Sequence, residues 1–131
     1  MSYYFSQVLA VGFEDALQRT TEALKREGFG IISDIDVRDT FRKKLNREFR
    51  PYRILGACNP ELAFQALSAD DKIGTMLPCN VVVQQLDDGR TEVAAIDPVA
   101  SMQAVPNLGL AGIAAQARQR LQRALQSLVV P

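Results

Sequence analysis

The sequence predicts an α+β fold, a two-layer sandwich in which a mixed β-sheet carries helices mainly on one face. Three observations lead there. Short β-branched and aromatic runs alternate with longer stretches in which apolar residues recur every three or four positions, the periods of strand and helix. A strong hairpin signal, Asp87-Asp88-Gly89-Arg90, joins two of the runs near the end. No internal repeat, low-complexity tract or linker divides the 131 residues, so one domain over 1–131 is expected. The order is β-α-β-α-β-α-β-β-α.

Tyr3 to Val11 is rich enough in aromatic and β-branched residues for a first strand, which ends at Gly12. From Phe13, apolar residues recur at Ala16, Leu17 and Leu24 on one helical face, with Glu14, Gln18, Glu22 and Lys25 opposite, and Gly28 supplies the stop. Phe29 to Ile35 reads as the second strand, with Phe29, Ile31 and Ile35 sharing a face. Asp36 reads as the N-cap of the second helix, and Asp39 stands three residues on, where an acid helps to cap. That helix places Val37, Phe41 and Leu45 on its apolar stripe and Arg42, Lys43, Lys44 and Arg47 on a solvated face.

Arg53 to Cys58 follows Pro51 as a third strand, and Asn59-Pro60-Glu61 reads as a helix start. Asn is a favoured N-cap, Pro suits the first helical position, and Glu complements the dipole in the first turn. Leu62, Ala63, Ala66 and Leu67 give this helix its buried face, and Asp70-Asp71 ends it. Lys72 to Pro78 returns the chain to the sheet, with Gly74 its most permissive point. The runs Val81 to Leu86 and Thr91 to Ile96 flank the hairpin turn and should pair antiparallel. Asp97-Pro98 closes the second of them, and a loop through Met102 and Pro106 is long enough to lie over a site. The last helix, about Leu108 to Leu128, carries Leu110, Ile113, Ala114, Ala117, Leu121, Ala124, Leu125 and Leu128 in register, with Arg118, Arg120 and Arg123 mostly off that stripe. So wide an apolar face is expected to cover more than its own sheet, which predicts a homodimer.

Composition excludes more than it assigns. Lys+Arg and Asp+Glu are both 15, so the net charge is zero and no electrostatic footprint for nucleic acid is visible. The N-terminal residues lack the basic region and long apolar core of a signal peptide, and no run approaches a membrane span, so the cytoplasm is the expected compartment. Histidine is absent, which removes Ser-His-Asp and Cys-His catalysis and the His-based zinc hydrolases. Acid–base chemistry would fall to Asp, Glu, Lys, Tyr or Cys.

The chemistry-bearing stretch is Tyr52 to Val83, which holds both cysteines, each directly before an asparagine: Cys58-Asn59 and Cys79-Asn80. Cys58 falls at a strand end beside the exposed N–H groups of a helix N-terminus, an environment that lowers a thiol pKa and binds anions. If the third and fourth strands are neighbours, the two cysteines approach each other. Two readings stand side by side. On one, both are given to packing, since free cysteine is among the most buried residue types. Alternatively they form one thiol site, with Cys58 as nucleophile and Cys79 resolving a mixed disulfide or persulfide. Two thiolates would also suit a soft ion such as Cu(I), with Met76 or Met102 as a further donor, whereas no cofactor is required by any motif. Asn59 and Asn80 serve the backbone on one reading and a ligand on the other.

YRILGACNP followed by LPCNVVV resembles the paired signature of the bacterial and archaeal domain of unknown function 302 family. GFGIISDIDV, the Phe41 to Leu45 helix and DDGRTEVAAIDP also fit, so the resemblance covers nearly the whole chain. It implies the same α+β fold and no assigned activity. Tyr52, Asp36, Asp97 and Lys44 match the family pattern as well, which makes Tyr52 and Asp36 candidates to join the cysteines in a ligand-binding site. The expectation is a thiol-centred ligand-binding or sulfur- and redox-handling protein. The alternative is a dimeric protein-interaction module in which both cysteines are structural.

Overall fold

The computed structural model describes residues 2–129. Its elements are β1 (Tyr4–Leu9), α1 (Phe13–Arg26), β2 (Gly30–Asp36), α2 (Val37–Leu45), β3 (Tyr52–Cys58), α3 (Pro60–Ala69), β4 (Cys79–Gln85), β5 (Thr91–Ile96), α4 (Pro98–Ser101) and α5 (Ala111–Ser127). Short 3₁₀ turns at Ile73–Met76 and Leu108–Leu110 precede β4 and α5. The α+β class and the element order are those the sequence predicts, with α4 added in the loop after β5.

The five strands lie in the order β1-β5-β4-β3-β2, and every neighbouring pair is antiparallel. The expectation of a mixed sheet is corrected on this point. A parallel neighbour needs a crossover that carries the chain back along the sheet. Here α2 and α3 turn at the sheet's ends instead: Asp36 at the end of β2 pairs with Arg53 near the start of β3, and Ala57 near the end of β3 pairs with Cys79 at the start of β4.

The layers follow from alternation along the strands. Leu55, Ala57, Val81, Val83, Val93 and Ala95 face one side and are nearly or wholly buried. Leu17 and Leu24 of α1 and Leu121 and Leu125 of α5 close over them in the same core. The other side of the sheet presents Tyr52, Val82, Gln84, Glu92, Ala94 and Ile96 along a shallow groove.

Two local departures matter. A bulge between Ile31 and Ser33 inserts Ile32 into β2 and reverses the alternation beyond it. Phe29 and Ile31 therefore pack on the core while Ile35 turns to the opposite side, 50% exposed, rather than sharing their face. In α2, Asp36 caps as expected, accepting from the Asp39 N–H at 2.9 Å. The helix nevertheless buries none of its residues fully, and Leu45, expected on its inner stripe, is exposed. Its anchor is aromatic instead: Phe41 meets Phe49 edge-on at 5.2 Å, and Phe49 meets Tyr52 at 6.0 Å.

The hairpin turn forms as its residues dictate, with Gly89 at φ +87° and the Leu86 N–H donating to the Arg90 carbonyl at 2.8 Å. In α5, all the predicted stripe residues from Ala114 to Leu128 are buried within this chain. The helix thus spends the apolar face on its own core, and that face supplies no surface for a second copy. Among the described residues, no helix is long and apolar enough to cross a membrane.

Candidate functional site

Asn59 sets the geometry at the end of β3. Its side chain accepts from the Leu62 N–H at 3.1 Å and Pro60 takes the first helical position, so the chain passes from strand to helix within one residue of Cys58. Asn59 is itself only 6% exposed. Across the ladder, Cys79 opens β4 opposite Ala57, one residue before Cys58. Gly56 permits this close approach. A methyl group there would overlap Ser33 Oγ and come within 2.7 Å of Pro78 Cγ.

Cys58 and Cys79, both free thiols, line one cavity of about 240 Å³ between the sheet end, α3 and α5. Its walls are almost wholly apolar: Phe29 from the turn before β2, Leu62 and Ala66 from α3, Met102 from the loop after β5, and Ile113 and Ala117 from α5. Cys58 is partly exposed, whereas Cys79 is 9% exposed. Burial pushes the Cys79 thiol up to about 11, and the neighbouring Cys58 adds to the rise. Cys79 is therefore a neutral thiol at physiological pH, able to pack against an apolar molecule or donate a weak hydrogen bond, and not a ready nucleophile.

The other candidates fall in different places. Asn59 lines the cavity with the cysteines. Asn80 is exposed on the opposite side of the sheet, in the groove that also holds Tyr52. Tyr52 begins β3 and so stands at the far end of that strand from Cys58, within the aromatic cluster of Phe41 and Phe49. Asp36 is at that far end too, engaged as the cap of α2 and 3.8 Å from Arg53. The fold thus brings Cys58, Asn59 and Cys79 together and holds Asp36, Tyr52 and Asn80 apart from them.

Of the two methionines proposed as soft donors, Met102 lines the cysteine cavity and Met76 lines a separate depression beside Thr75 and Ser101. Cys58, Cys79 and Met102 are the sulfur atoms available to a soft ion there. Among the described residues, no group of three or more His, Cys, Asp or Glu stands together as a metal site. Asp97 and Lys44 take structural places: Asp97 is 3% exposed, accepts from the Val99 N–H at 2.9 Å and lies 3.5 Å from Arg118, while Lys44 is exposed on α2.

Sequence reasoning missed the contribution of α5. Ile113 and Ala117 read as core residues in a long stripe, and nothing in their spacing separates a residue that meets the sheet from one that meets a cavity. The available signal was the small-residue content of the first turns, Ala111 to Ala117, which leaves room where a larger side chain would fill it.

Comparison with known proteins agrees with this geometry at the level of fold. No functionally curated protein is detectably similar to the chain. A solved structure, the crystal structure of an uncharacterized conserved DUF302 protein from Bacillus stearothermophilus, superposes with a TM-score of 0.89. It shares 28% sequence identity, over 96% of this chain and 98% of that one. The family described as "Domain of unknown function DUF302" matches residues 5–128, and with the fold and the two Cys-Asn segments in place the chain belongs to that family.

Proposed function

We propose that this chain is a small-ligand-binding domain whose site is the cavity between the sheet end, α3 and α5, with Cys58 as its accessible thiol and Cys79 as a neutral wall. One observation carries the reading: both cysteines line a single, almost wholly apolar cavity of about 240 Å³. For scale, an apolar cavity of about 150 Å³ suffices for benzene. Thiol-centred sulfur or redox handling is the finer form of the same reading, and the accessibility of Cys58 favours it as the reacting partner.

Alkylation rates of the two cysteines, followed by peptide mass spectrometry with and without saturating 1-octanol, test the proposal. Cys58 should react faster than Cys79, and the alcohol should slow it. Equal reactivity of both thiols, or indifference to the alcohol together with no measurable octanol binding, counts against the cavity as a site.

A second reading draws on the other side of the sheet. Tyr4, Val8 and Ile35 are 43%, 40% and 50% exposed, and Val82, Ala94 and Ile96 lie between them. Among the described residues no helix of the core layer covers that side, so self-association through it is the form a homodimer would take. Solution mass by sedimentation equilibrium is its test.

A further inference from the structure

The lining of the cysteine cavity grades from solvent to core. Ile32, inserted by the β2 bulge, and Leu67 of α3 line it and are exposed, so they border its mouth. Leu62, Ala66, Ala114 and Ala117 line it and are buried, so they form its floor. Cys58 lines the same space and is intermediate between the two groups in exposure. One thiol thus has water and an apolar floor within the same cavity. The walls are almost wholly apolar and offer little to fix a polar head, so a molecule held here needs an apolar body and an anchor of another kind. A covalent bond to Cys58 supplies that anchor.

We infer that Cys58 is a site of S-acylation, where its thiol exchanges with a medium-chain acyl thioester and the acyl chain then fills the cavity. The inference rests on the reading of the cavity as a ligand site and adds the substrate's class and the bond that holds it. In the exchange the Cys58 sulfur bonds to the acyl carbonyl carbon, the bond from that carbon to the departing sulfur breaks, and the proton lost by Cys58 ends on the departing thiol. One thioester replaces another, so no oxidant or reductant enters the balance. The product is uncharged and has no proton to lose, which suits walls of this polarity. Cys79, a neutral thiol on the buried side, sets no charge against the chain. At about 240 Å³, against about 150 Å³ for a cavity that takes benzene, the space suits a chain of about eight carbons.

The N-acetylcysteamine thioesters of octanoate and acetate are the probes, with acyl transfer followed by peptide mass spectrometry and the adduct identified by its release with hydroxylamine. Octanoyl should reach Cys58 of the unaltered protein about tenfold faster than acetyl, because burial of the added methylenes stabilises the transition state for transfer. Cys58→Ala should abolish the adduct. Ala117→Leu, which takes up volume on the floor, should bring the octanoyl rate down towards the acetyl rate, with a thermal melt reporting that the variant is folded. Equal rates for the two acyl groups with the unaltered protein, or octanoyl carried by Cys79 in place of Cys58, overturns the acylation inference. If 1-octanol still slows alkylation of Cys58 in that case, the cavity reading stands. If 1-octanol neither binds nor protects, the two fall together.

Discussion

Cys79 illustrates how a single position acquires its chemistry from what surrounds it. Between Val81 on its own strand and Ala57 on the next, its sulfur is desolvated, and the thiol is pushed from the ordinary 9.0 up to about 11. The sign of the pH effect follows. Below pH 9 the thiol is protonated whether the chain is folded or not, so it contributes no pH dependence. Between 9 and 11 the unfolded chain releases its proton while the folded one keeps it, so stability falls as pH rises, by about 2–3 kcal/mol in all. Chemical denaturation of the native protein and of Cys79→Ala at pH 8, 9.5 and 11 should show the gap between them narrowing over that window. A constant gap would mean that Cys79 ionises in place.

At the scale of elements, the decisive device is the β2 bulge and the ion pair just past it. By shifting the register between Ile31 and Ser33, the bulge sets Asp34 beside Arg53 of β3, where the guanidinium donates at 2.8 Å and 2.9 Å to the two carboxylate oxygens. That hydrogen bonding holds the Asp34 carboxyl below its ordinary range, against the opposing effect of partial burial. Its contribution is therefore present above pH 4 and lost as the pH falls through the depressed value. Water reaches both side chains, so screening limits the pair to roughly 0.5–1 kcal/mol. Asp34→Asn should lower stability by about that much at pH 7 and by less near pH 2. Thermal melts at the two pH values decide it, and a deficit that persists undiminished in acid would trace the loss to packing of the bulge instead.

The whole molecule sets two apolar surfaces against each other. One side of the sheet is closed by α1 and α5, and the length of α5 that suggested a dimer is consumed in doing so. The other side keeps Val82 and Ala94 at its centre without a helix of that layer above them. If two copies meet there, Val82→Asp should convert the dimer to a monomer, because a carboxylate at the centre of a two-fold interface faces its own counterpart. Sedimentation equilibrium at micromolar concentration reads the outcome. A monomeric native protein would end the self-association reading, while a dimer indifferent to Val82→Asp would move the interface elsewhere.

Local chemistry made much of this chain legible from its residues. The caps Asp36 and Asn59, the turn at Gly89, the stop at Gly28 and the α5 stripe are each decided within a few residues, so their positions follow from the sequence. The two Cys-Asn segments also marked the strand ends where a cavity forms. What the sequence left open depends on contacts between distant residues. Antiparallel pairing of β2, β3 and β4 follows from α2 and α3 turning at the sheet's ends, and the exposure of Ile35 and Leu45 follows from a bulge and an aromatic anchor that periodicity does not reveal. The site was divided in the same way. Asp36 and Tyr52 lie near the cysteines in the chain but at the opposite end of β3, while Ala114 and Ala117, more than fifty residues beyond Cys58, come to the cavity because an extended strand separates its ends and helix packing joins remote segments.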